Sequence, residues 1–107
     1  MASQRTTQDL DRMIEEATVD AYGEYEQAGG FLVMMEDNIS CPFKAKVVGE
    51  IVEVEGFDLP GDSTSIQALC LRNGKKYKID VTSLEWDGKP PKGVEWIDAY
   101  KAWLGPQ

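Results

Sequence analysis

Histidine is absent from this chain of 107 residues. Its absence removes the usual general base, the Ser/His and Cys/His nucleophile pairs, and every His-ligated zinc or iron site. Only two cysteines are present, Cys41 and Cys70, too far apart for a zinc-finger spacing. With no export signal ahead of them they read as free thiols, Cys70 in the core between Leu69 and Leu71. Long apolar runs are missing too: Phe31 to Met35 is the longest, far short of a bilayer span. The polar stretch from Met1 to Asp9 lacks the apolar core of a secretory signal, so a cytoplasmic protein is expected. No Walker loop or dinucleotide fingerprint follows any glycine pair. The expectation is a protein that is not an enzyme.

Basic residues are scarce where acids are dense. Residues 1–62 hold 14 acids against four bases, a charge of −10, whereas residues 63–107 hold five acids against seven bases, +2. Such a surface repels nucleic acid and anionic membranes and attracts cations or basic partners. A hydrophobic content of 42% argues against disorder despite the net charge of −8. The length suits one domain, 1–107, with residues 1–8 expected to form a loose N-terminus.

Leu10, Met13, Ile14 and Ala17 recur at helical spacing and predict a helix from about Thr7 to Asp20, with Thr6 and Asp9 as a capping box. A second helix is expected from Asp20, its N-cap, to Asn38, with Tyr22, Tyr25, Phe31, Leu32 and Met35 as its apolar surface. Gly29-Gly30 either breaks that helix or receives something packed against bare backbone. Strands follow Pro42. Alternation in Lys44–Val47 and in the opposite phase in Glu53–Glu55 suggests one bent or bulged strand near Gly49–Val52. Phe57–Ser65 reads as a loop.

Asn73-Gly74 is the favoured pair for a type I′ hairpin turn, which would set Arg72 opposite Lys75, Cys70 opposite Tyr77 and Ala68 opposite Ile79. Ile66, Ala68, Cys70, Tyr77, Ile79 and Val81 then share a core face, and Leu69 and Leu71 lie on the other, half covered by a helix. A last helix is expected over Val94–Leu104, stopped by Gly105-Pro106, with Trp96, Ile97, Tyr100, Trp103 and Leu104 as its apolar stripe. The fold class is α+β: N-terminal helices, a small bent antiparallel sheet of three to five strands that would suit an SH3-like half-barrel, and a C-terminal helix.

The chemistry on offer is carboxylate. Asp20 and Glu24 are four apart and would share a helix face, with Glu26 beside them and Glu16 joining if the two helices run on. No Lys or Arg lies between Arg12 and Lys44 to offset their repulsion, and a hard divalent cation would. Glu36, Asp37 and Asn38 form a second oxygen group where a helix end leaves carbonyls spare. No EF-hand loop of the Asp-x-Asp-x-Asp-Gly kind is present, and acids on an exposed helix face are also simply a solvated surface. Asp9 and Asp11 read as first-turn charges that suit the helix dipole.

These residues carry a resemblance. Ala17-Thr18-Val19-Asp20-Ala21-Tyr22-Gly23-Glu24, then Glu26-Gln27, Gly30-Phe31, Pro42-Phe43-Lys44-Ala45, Gly49 and Glu95-Trp96-Ile97-Asp98-Ala99-Tyr100 resemble the small acidic calcium-binding proteins of the CcbP type. The resemblance spans about Glu15 to Leu104 and implies cytosolic calcium binding through surface charge rather than EF-hands. It implies that Asp20, Glu24 and Glu26 stand at acidic positions of the shared segment, whereas Tyr25 stands where another acid is expected. The alternative is a non-catalytic acidic module that binds a basic protein partner. The sequence leaves the oligomeric state open.

Overall fold

The computed structural model describes residues 7–105. Two N-terminal helices, α1 (Thr7–Ala17) and α2 (Glu24–Asn38), precede strands β1 (Phe43–Val47), β2 (Glu50–Asp58), β3 (Gln67–Arg72) and β4 (Lys75–Asp80). A 3-10 turn (Val81–Ser83) and helix α3 (Glu95–Leu104) complete the chain. Thr6 of the expected capping box and Pro106 of the stop signal lie outside the described residues, as do residues 1–6 of the expected loose N-terminus; residues 7 and 8 begin α1.

The strands form one antiparallel sheet in the order β1-β2-β3-β4. The sheet is open, but its curl lets the chain beyond β4 return to the outer edge of β1, where Lys46 and Glu85 exchange both backbone hydrogen bonds, each 2.8 Å. All three helices lie on one face. Phe31 and Met35 of α2 and Trp96, Ile97, Ala99 and Tyr100 of α3 pack in one cluster with Val52, Val54, Ala68 and Cys70 from the sheet. The ring of Phe31 meets Tyr100 at 5.7 Å and Trp103 at 5.4 Å between centroids, so α3 is fastened to α2 by aromatic contact.

Several expectations need correction. The slip of phase near Gly49 is a hairpin: Val47 pairs with Glu50 around a two-residue turn, Val48 at φ 48° and Gly49 at φ 80°. Both φ values are those of a type I′ turn, a conformation a β-branched residue rarely adopts, so Val-Gly gave no turn signal. A bulge does exist, but between Val54 and Gly56. The second helix starts at Glu24, not Asp20: Gly23 is its N-cap at φ 108°, and Tyr22 and Tyr25 are 82% and 56% exposed rather than packed. On the sheet, Tyr77 shares the core-facing side but sits on edge strand β4, where it stays exposed, and Leu69 and Leu71 lie on the face away from all three helices.

The Asn73-Gly74 hairpin has the expected register, and Cys41 and Cys70 are both free. Gly29-Gly30 lies inside an unbroken α2, and the second of the two alternatives holds: a Cβ on Gly30 would collide with the carbonyl oxygen of Ala17. The two turns of type I′ also make a prediction. Val48→Asn would recreate the Asn-Gly pair and remove a valine that is 91% exposed. It should stabilise the protein by about 1–2 kcal/mol, read as a higher midpoint in urea with unchanged m-value.

Candidate metal centre

Helix α1 ends at Ala17, and Thr18 closes its last turn. The Thr18 amide and hydroxyl both donate to the Ile14 carbonyl, at 3.0 and 2.7 Å, and Asp20 follows in the left-handed region at φ 59°. Asp20 is therefore in a turn, and the helix face that was to join Glu16, Asp20 and Glu24 does not exist. Glu24 and Glu26 are instead the exposed first-turn acids of α2, whose N-cap Gly23 offers no side chain, so these two face the positive end of the helix dipole. Asp20 precedes them across a short connection that ends at Gly23.

Glu24 borders a groove of about 300 Å³ together with Gln27, Thr64, Trp103 and Leu104. The indole of Trp103 donates to Gln27 Oε1 at 3.0 Å, so the last turn of α3 is tied to the first turns of α2.

Glu36, Asp37 and Asn38 are exposed in the last turn of α2. The expected spare carbonyls are partly taken there: Asn38 Nδ2 donates to the Met34 carbonyl at 2.8 Å and the Ile39 amide to that of Met35 at 2.9 Å. Glu36 and Asp37 line a groove of about 320 Å³ with Ser40, Cys41 and Glu55. Glu55 sits at the bulge of β2 and was not foreseen as a neighbour of this group. Burial and the charge of Glu36 push the Cys41 thiol above its ordinary value.

These are two separate places. Helix α2 has 15 residues, and at 1.5 Å per residue its ends are roughly 20 Å apart. Among the described residues no three His, Cys, Asp or Glu side chains already converge on a point that could hold a metal ion. The exposed ion pairs lie elsewhere: Asp9–Arg12 at 2.8 Å, Glu50–Arg72 at 2.7 Å and Asp58–Lys78 at 2.9 Å. The hydrogen bond from Lys78 holds the Asp58 carboxyl below its ordinary range.

A family model described as calcium binding, that of CcbP, matches residues 11–104. The chain belongs to the CcbP calcium-binding family. Its α+β fold agrees with two solved structures. Anabaena CcbP superposes with a TM-score of 0.78 at 24% identity, over 97% of this chain and 95% of that one. A calcium-binding protein in its calcium-binding form gives 0.75 at 24% identity over the same shares. No curated protein matches the chain. Calcium is thus the ligand of the CcbP family, and the donors on this chain suit it: hard carboxylate and amide oxygens, which calcium takes in flexible number and geometry.

Proposed function

We propose that this protein is a cytosolic calcium buffer or sensor that takes the ion on surface carboxylates, with Asp20, Glu24 and Glu26 as one site and Glu36, Asp37 and Asn38 as a second. One observation supports the first site above all. Three exposed carboxylates flank the turn into α2, in a stretch from Arg12 to Lys44 that contains no base. Their side chains do not converge beforehand, so calcium has to draw Asp20 toward the first turn of α2 and keep several waters of its own. Affinity in the micromolar to millimolar range follows, weaker than that of a purpose-built loop. At the second site the Asn38 nitrogen is engaged with Met34, which leaves the amide oxygen as its ligand atom, and Glu36 and Asp37 supply the charge.

Calorimetric titration in ~0.1 M KCl tests the reading, since a merely acidic surface responds to any salt alike. Asp20→Asn with Glu24→Gln should weaken calcium binding at least ~10-fold, about 1.4 kcal/mol. Asp11→Asn with Glu15→Gln removes the same charge from the exposed side of α1 and should leave affinity within about threefold. Equal losses from both pairs would mean that the ion senses only the overall field. Because Gln27 links α2 to Trp103, the same titration should change indole fluorescence, and Trp103→Phe should abolish most of that signal.

A further inference from the structure

Strand β3 is apolar on both faces. Ala68 and Cys70 belong to the core, yet Leu69 and Leu71 alternate with them on the face no helix covers. A sheet solvated on one side normally alternates apolar-in and polar-out, and β3 departs from that. The register fixes the surroundings of the two leucines. Leu71 lies between Glu53 of β2 and Lys76 of β4, and Leu69 between Gly56 and Lys78. Gly56 has no side chain, and a hollow of about 290 Å³ opens over Leu69, walled by Glu55, Lys76 and Lys78. Lysine stems often shield such leucines while the ammonium stays in water. That accounts for Lys78, which reaches Asp58 at 2.9 Å, but leaves Glu53 and Lys76 on either side of Leu71 without an ion pair between them.

We propose that this outer face is the docking surface for a second copy of the chain. Two copies meeting through α1 or α2 bring together residues 7–38, which hold nine acids against one base. The outer face of the sheet is instead balanced, with four outward lysines on β1 and β4 and four outward carboxylates on β2 and β4. Its charges are also ordered by strand around Leu71, acid on β2 and base on β4. A twofold axis running along β3 places β2 of each copy over β4 of the other. Glu53 then meets Lys76 of the second copy, and the reciprocal pair forms by symmetry. Leu69 and Leu71 meet their own counterparts between two aligned sheets about 10 Å apart. The patch is small, so the dimer is weak and forms at high concentration.

Sedimentation equilibrium between ~10 µM and ~1 mM tests this, over the range where a small interface associates. The chain should pass from monomer to dimer. Lys76→Glu and Glu53→Lys should each weaken the dimer about tenfold, and the two together in one chain should restore it. Leu71→Asp should leave a monomer whose melting curve shows it still folded. A monomer over the whole range overturns the proposal. So does a dimer indifferent to these substitutions, or a double variant no tighter than either single one.

Discussion

Alanine at Gly30 should cost the protein about 2 kcal/mol, whereas alanine at Gly29 should raise its stability by as much as about 1 kcal/mol. Both residues lie in the interior of α2, so the gain in helix propensity is the same for each. They differ in what a methyl group meets. Nothing lies within 4 Å of a Cβ at Gly29, but one at Gly30 would occupy the place of the Ala17 carbonyl oxygen. The obstacle is a clash with backbone at the end of α1, which cannot rotate away as a side chain would. Helix α1 must then lift from α2, uncovering Ala17, which is buried in the core cluster. Against a total of about 5–15 kcal/mol, the loss amounts to a fall of roughly 10 °C in melting temperature. Thermal melts of the two variants check it, and two shifts of the same sign would refute the close approach.

Tyr100→Phe should be as damaging. The ring is fully buried and its hydroxyl does two things at once: it donates to the Thr64 carbonyl and accepts from the Ile66 amide at 2.9 Å. Phenylalanine fills the same space but strands a buried N–H and a carbonyl in the loop between β2 and β3. Each stranded group costs about 1–3 kcal/mol, so a loss of about 2–4 kcal/mol is expected in urea titrations. Tyr77→Phe, on the exposed edge of β4, should change stability by less than about 0.5 kcal/mol. The hydroxyl also sets an alkaline limit. Burial raises its pKa, outweighing the amide of Ile66, which lowers it. A group raised on folding contributes stability that is complete below the unfolded value of about 10 and is lost as pH rises through the folded value. Stability should therefore fall above about pH 10, and fall less in the Phe variant.

Sequence patterns reached some parts of this molecule and not others, for physical reasons. Asn73-Gly74 announced its hairpin because both residues tolerate positive φ, and register then followed by counting. Val48-Gly49 makes the same turn with a residue that resists it. Periodicity alone therefore saw one strand where there are two. The apolar stripe of α3 was legible because Gly105 closes it. At the candidate site, the residues from Asp20 to Gly23 fit a helical pattern, but Asp20 and Gly23 take positive φ and Ala21 and Tyr22 between them are not helical. Glu55 joined Glu36 and Asp37 only through the meeting of a helix end with a bulge, a tertiary fact with no local signal.

The order of the sheet bears on how the chain reaches this state. In β1-β2-β3-β4 every strand pairs with its neighbour in sequence, two of the three connections being two-residue turns. Loop closure is cheap for such a ladder, so the meander is the natural nucleus. Docking α1 against α3 joins the two ends of the described chain and should come late. Substitutions at the seam of α1 and α2 should then act on the unfolding arm of a chevron plot. Gly30→Ala should speed unfolding severalfold and leave the refolding rate nearly unchanged, while changes in β2 and β3 slow refolding.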